Sequence, residues 1–137
     1  VVLYDSTDPL IIAAFRQQPK DISSIQALRN AIKETFGSLT QEELQFVNDR
    51  FMLARTIPEV QATLLEEMVR NIDMIAELVA ERTDHDPSEL TVRNIAGAII
   101  GVGLAAMLEA QKKPLDRDSL GIFDKALENL ENGLERL

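Results

Sequence analysis

The chain has 137 residues, 45% of them hydrophobic, a formal net charge of −9 from 23 Asp and Glu against 14 Lys and Arg, and no cysteine. A domain of about this size buries close to 70% of its unfolded surface, enough for one core without staples. Lack of cysteine excludes disulfides and thiolate metal sites, and so acidic a surface repels phosphate backbones, which excludes nucleic-acid binding by this segment alone.

The opening Val1-Val2-Leu3-Tyr4 has no basic n-region and soon meets Asp5 and Asp8, so it does not read as a signal peptide. It starts without methionine and on apolar residues, and the expectation is a segment whose N-terminal part is missing. Residues 1–5 then form the stump of an earlier helix. Asp8-Pro9 has the form of an N-cap with proline in the first helical position, and Pro19 ends the short helix, predicted over 9–18. Ser23 with Gln26 forms a capping-box pattern, stapled by Ile22 and Ala27, and opens a helix over 23–37. Thr40 with Glu43 is a second capping box, opening 41–55. Pro58 restarts the chain for a long helix over 58–83.

That long helix carries two apolar rows, with Val60, Leu64, Leu65, Met68, Val69, Ile72, Ile75, Leu78 and Val79, as a central helix with several neighbours would. Asp86-Pro87-Ser88-Glu89 starts the next, over 88–112, and Pro114 follows its end. Asp116 or Asp118 caps the last, over 117–136. The period is helical throughout and no strand pattern or repeat occurs, so the fold class is all-α.

The helix over 88–112 holds fourteen uncharged residues, 95–108, with Gly97, Gly101 and Gly103 inside. Each glycine in a helix interior costs about 1 kcal/mol relative to alanine, and close approach of another helix or a ligand is the expected compensation. The run falls short of the roughly 20 residues that span a membrane, and reads as a buried helix packed on more than one side. The last helix spaces Leu120, Phe123, Leu127, Leu130, Leu134 and Leu137 as a narrow heptad seam. A small-residue groove (Gly97, Gly101, Leu104, Leu108) and a leucine seam (Phe123, Leu127, Leu130, Leu134), each paired with its copy across a two-fold axis, make a dimeric four-helix bundle. The plainer alternative is that both faces pack within one chain.

Catalytic chemistry finds little support. The one histidine, His85, lies in the loop Thr83-Asp84-His85-Asp86, where a solvated turn outweighs a metal site. A ferritin-like di-metal site needs two Glu-x-x-His motifs. The six serines sit at helix starts or turns, and no glycine loop of the phosphate-cradling kind occurs. No enzyme activity, metal or cofactor is expected. Glu42-Glu43 and Glu66-Glu67 point to different faces and are expected to be solvated.

Three polar residues stand on apolar rows. Arg50 lies between Phe46 and Leu53, Asn71 continues Leu64 and Met68, and Asn94 continues into Ala98. A buried polar group without a partner costs about 1–3 kcal/mol, so each needs another side chain, a water or a ligand. Internal hydrogen bonds would satisfy them, and Arg50 can snorkel to the surface. Together they have the make-up of an apolar pocket with a few orienting groups. The candidate ligand site is Phe46, Arg50, Leu53, Leu64, Met68, Asn71, Asn94 and Ala98. The other phenylalanines and methionines, Phe36, Phe51, Met52 and Met74, are core by default, some available to line the cavity.

The order of these motifs resembles the C-terminal ligand-binding domain of TetR-family transcriptional regulators, in the branch common in actinobacteria and typified by the regulator of mycofactocin systems. The resemblance rests on Val1-Val2-Leu3-Tyr4-Asp5, Asp8-Pro9-Leu10, Ala14-Phe15-Arg16 with Pro19, Leu39-Thr40-Gln41-Glu42-Glu43-Leu44, Ile57-Pro58-Glu59-Val60 with Leu64-Leu65-Glu66-Glu67, the glycine helix, and Leu127-Glu128-Asn129-Leu130-Glu131-Asn132-Gly133-Leu134. It implies a helix-turn-helix domain upstream of this chain, operator binding as a homodimer in the cytoplasm, and release of DNA by a lipophilic effector. In the related branch that effector is acyl-CoA-like. A coenzyme A head needs a cationic mouth, for which the sequence offers only scattered Arg16, Arg29, Arg50, Arg55 and Arg93. The competing reading is an all-helical protein–protein adaptor without a ligand.

Overall fold

The structure, a computed structural model, describes residues 2–113 and 116–134, with side chains from Pro9 onward. Among these described residues six helices follow one another: α1 Val2–Arg16, α2 Ser24–Phe36, α3 Gln41–Thr56, α4 Pro58–Thr83, α5 Leu90–Ala110 and α6 Ser119–Glu131. No strand occurs among the described residues. The expected Pro114 stop and Leu137, the end of the seam, lie outside them.

Most boundaries follow local chemistry. Thr40 Oγ1 accepts from the Glu43 backbone at 3.1 Å, and Glu43 Oε1 accepts from the Thr40 backbone at 2.9 Å, so the expected capping box is complete. Pro58 stands in the first turn of α4, where its missing N–H costs nothing. Of the two candidate caps of α6, Asp118 holds the cap position without a side-chain bond, and Asp116 supplies the bonding: its Oδ1 accepts from the Ser119 backbone at 3.1 Å, and Ser119 Oγ accepts from the Asp116 backbone at 3.1 Å.

Other boundaries correct the sequence reading. Residues 1–5 and 9–18 were expected to be separate helices, but α1 runs through Pro9. Proline's fixed φ is itself helical, so the chain gives up a bond to one carbonyl rather than turning aside. Ser23 Oγ accepts from the Gln26 backbone at 3.0 Å, but the Gln26 amide does not reach back; it donates to Asn30 Oδ1 at 3.0 Å. The cap is therefore one-sided. Helix α6 stops at Glu131, five residues before the expected end, because Gly133 takes φ 92° and Leu134 follows at φ 50°. A glycine in the left-handed region ends a helix by this geometry, and it carries Leu134 out of the leucine seam.

The helices close into a ring. Neighbours around it are α1, α2, α6, α5 and α4, with α4 returning to α1, and α3 packs on the flank of α4. The main core joins Phe15, Leu28, Ile75, Leu78, Val79, Val92, Ile99 and Leu127. A smaller cluster of Phe51, Met107 and Ala110 seals the end where α3 crosses α4 and α5. Alanines 27, 31, 76 and 96 are completely buried, and they, rather than the glycines, are the small residues of the core.

Helix α5 departs most from expectation. It was read as buried on more than one side, yet only 28% of its most apolar stretch is buried. A Cβ built on Gly97, Gly101 or Gly103 would meet nothing within 4 Å. Among the described residues no helix approaches closely there. The helix also continues past the uncharged run to 21 residues, which by length and composition alone is enough to cross a membrane. The uncharged run is shorter than the helix because Arg93 and Glu109, which bound it, both lie inside α5.

Candidate functional site

The ring surrounds a cavity of about 200 Å³. All six helices reach it. Leu64, Met68, Asn71 and Ile75 follow each other along one face of α4 at helical spacing, opposite Ile99, Gly103 and Met107 of α5. Ile11 of α1, Ile32 of α2, Phe51 of α3 and Phe123 of α6 close the remaining sides. Asn71 is the one polar side chain among the described residues lining it. Beside it, a wider open groove of about 630 Å³ runs between the end of α3, the start of α4 and the end of α5. Phe51, Leu64, Met68 and Leu104 line both.

The residues expected to form the site separate. Leu64, Met68 and Asn71 come together in the cavity, and Phe36, Phe51 and Met74 join them. Phe46 and Leu53 lie outside it on an open face of α3, each about half exposed (50% and 46%), and Met52 is exposed as well. Asn94 is exposed on the outer side of α5, and half-buried Ala98 does not line the cavity. The apolar row on α3 belongs to a helix that packs on α4 alone among its main neighbours, so half of that row has nothing to cover it.

Arg50 has another role. Its guanidinium lies 3.7 Å from Glu67, which is 4% exposed. Glu67 was expected in solvent with Glu66, and only Glu66 is there. The sequence did hold the signal, since Glu67 falls between Leu64 and Asn71 on the inward face of α4. An acid on an apolar row calls for a cation on the facing helix, and Arg50 supplies it.

The residues expected at a dimer interface also divide. Leu127 is 4% exposed inside the chain's own core, Leu130 packs against that core, and Phe123 and Leu104 line the cavity. Gly101, Leu108 and Leu134 are exposed and Gly97 is half-buried. Ile11, Ile32 and Gly103 are cavity residues that sequence reasoning missed. Ile11 and Ile32 sit on ordinary apolar rows with no polar neighbour to mark them, and Gly103 reads only as a helix-weakening residue.

The charged groups near the cavity are occupied with one another. Arg29 donates to both carboxylate oxygens of Asp124, at 2.8 and 3.0 Å, to Glu128 at 3.2 Å and to Glu131 at 3.1 Å. These bonds tie α2 to α6 and hold the guanidinium proton more firmly than usual. The hydrogen bond from Arg29 keeps the Asp124 carboxyl below its ordinary range despite partial burial. Lys125, donating to Glu128, does the same there. Arg82, at the end of α4, donates to the carbonyls of Gln18, Pro19 and Ile22, and its guanidinium lies 5.7 Å from the centre of the Phe15 ring. Arg16 of α1 meets Glu81 of α4 at 3.1 Å. The end of the cavity-lining helix is thus tied to the corner between α1 and α2.

Gly103 gives a direct test of the cavity. Gly103→Ala adds a methyl group where nothing lies within 4 Å and removes a helix-interior glycine, so unfolding free energy should rise by about 1 kcal/mol. Chemical denaturation reads this out, and an unchanged or lowered stability would mean that the space is not there.

Comparison with the curated proteins finds no match. The family described as the MftR C-terminal domain matches residues 22–135, from the residue before the α2 cap to beyond the end of α6, and the all-helical ring is the fold expected of such a domain. This chain therefore belongs to the TetR-type C-terminal domains of the mycofactocin-regulator family.

Proposed function

We propose that this chain is the effector-sensing and dimerising part of a cytoplasmic, one-component transcriptional repressor. Residues 1–137 form the sensing domain, and a helix-turn-helix domain upstream reads operator DNA. The observation that carries this reading is the apolar cavity at the centre of the ring, to which every helix contributes a wall. A lipophilic small molecule lodges there against Leu64, Met68, Phe51 and Phe123, with Asn71 orienting its polar end. Ile11 places the outgoing helix α1 in the wall itself, and α4 is linked to α1 by Arg82 over the Phe15 ring and by Arg16 with Glu81. A ligand that prefers one placement of α1 then shifts the upstream domain, while one that fits both placements equally shifts nothing.

Dimerisation uses the outer face of α5. Gly97, Gly101, Ala105 and Leu108 lie there at helical spacing, and Gly101, Ala105 and Leu108 are exposed. A second copy supplies the close helix that the glycines lack within the chain. The leucines of α6 support this face from behind, because Leu127 is spent on the core.

An acyl-CoA-like effector fits less well than a smaller one. Of the five arginines that offered a cationic mouth, Arg16, Arg29, Arg50 and Arg93 are each paired with a carboxylate. Arg55 alone of the five lines the open groove. The adaptor reading has one observation in its favour, the open α3 face with Phe46 and Leu53.

Native mass spectrometry of the purified chain, followed by denaturation of the same sample, separates the readings. The expected spectrum is a dimer carrying extra mass that denaturation sheds. A bare monomer would overturn the sensing domain in favour of the adaptor.

A further inference from the structure

We propose that the ligand of this cavity is uncharged: an apolar molecule of about ten non-hydrogen atoms or fewer, bearing a single hydroxyl or carboxamide that bonds to Asn71. This inference rests on the cavity being the effector site and names the chemical class that the site accepts.

Size sets the first limit. An apolar cavity of about 150 Å³ takes a benzene ring, so the space here, about 200 Å³, holds one short chain or one substituted ring, and anything longer leaves it for the open groove past Phe51 and Leu64. Charge sets the second. The described lining holds no Asp, Glu, Lys, Arg or His. Arg29 and Lys33 stand beyond Ile32 and Leu127, which line both the main cavity and the small one against which those cations lie. Both cations are already bound to Asp124. An ionised group inside the cavity would give up its hydration with no counter-ion in the wall to replace it, since Arg55 lines only the open groove beyond Phe51 and Leu64, and that is the costliest kind of burial. An anion would meet in addition the field of a protein carrying −9.

Asn71 sets the third limit. Its amide offers two N–H donors and a carbonyl acceptor. No described residue forms a hydrogen bond with it, and its polar atoms are not sealed in the core. A pure hydrocarbon would cover that amide and leave it unmatched, which disfavours such a ligand. A neutral group that both donates and accepts satisfies it, and a hydroxyl or a carboxamide does so. Asn71 then acts as the specificity-determining residue of an otherwise permissive cavity.

Two matched pairs of probes test this on the intact chain by calorimetry at pH 8: 1-octanol against octanoate, and p-cresol against 4-methylbenzoate. The neutral member of at least one pair is expected to bind tenfold or more tightly than its carboxylate. Asn71→Leu should weaken that neutral probe about tenfold while the thermal transition stays cooperative. Carboxylates that bind as tightly as their neutral partners, or more so, would overturn the inference and leave the cavity standing as the effector site. If none of the four probes binds, the effector-site reading falls and this inference with it. The wild-type pairs decide the charge question even if Asn71→Leu fails to fold.

Discussion

Gly101→Glu is expected to yield a folded monomer. The substitution places a carboxylate on the outer face of α5, where a Cβ meets nothing within 4 Å in the chain, so the fold itself has no reason to fail. In a dimer built on that face, two-fold symmetry brings in two carboxylates, both desolvated and both without partners. The penalty should exceed about 3 kcal/mol, which is more than about a hundredfold in the dimer dissociation constant. Light scattering after size exclusion gives the mass, and circular dichroism confirms retained helix. Gly101→Ala is the control, adding a methyl group and about 1 kcal/mol of helix propensity without charge. A Gly101→Glu protein that remains fully dimeric would move the interface off α5.

Arg29→Met should destabilise the chain strongly. The Arg29 side chain is 11% exposed and meets three carboxylates of α6. Methionine keeps the aliphatic bulk and removes the charge, leaving Asp124, Glu128 and Glu131 facing one another. Breaking a buried pair from one side costs about 3–5 kcal/mol. The partial exposure of Glu128 and Glu131 lowers the expectation to about 3 kcal/mol, or a fall in Tm of about 8 °C.

The loss should depend on pH in a definite direction. Asp124 is held below its ordinary value of 3.8 by the Arg29 hydrogen bond, and Glu128 below 4.5, chiefly by Lys125. Groups whose folded pKa is depressed stabilise in full above their ordinary range and lose that contribution as pH falls through the depressed values. Wild type and Arg29→Met should therefore differ fully at neutral pH, and the difference should shrink as pH falls below the ordinary value of 3.8 and through the depressed values, where protonation dissolves the clamp. Urea titrations across that range provide the check. A difference as large at pH 3 as at pH 7 would show that packing of the side chain, and not its charge, holds α2 to α6.

The helices were legible because their ends are written in local chemistry. Thr40 with Glu43, Pro58 and Asp116 each act within a few residues, and each is where the sequence places it. Local signals misled where a residue permits two outcomes. Pro9 suits a first turn and also survives inside α1. Gln26 has the spacing to complete a capping box but finds Asn30 instead. Of the cavity lining, Leu64, Met68 and Asn71 were readable, since they share one row of a helix whose two apolar faces mark it as central. Asn71 in that row announced a polar group in an apolar setting, which is what the cavity contains.

Rows on other helices did not announce which way they face. Phe46 and Leu53 form as good an apolar row as Leu64 and Met68, yet they face outward, because α3 has a main neighbour on one side only. Arg50 and Asn94 carried the same sequence signal as Asn71 and ended as an ion-pair partner and a surface residue.

By itself the sequence determined an all-helical chain, its six helices, an acidic surface and a central polar Asn71 on α4. Hydrophobic period and capping are properties of a few consecutive residues, and no distant contact is needed to express them. Closure of the ring, the cavity inside it, the pairing of Arg50 with Glu67 and the open side of the glycine helix were decided by the tertiary structure alone. Each depends on which helix lies beside which, and a row of apolar side chains is compatible with any neighbour of matching shape.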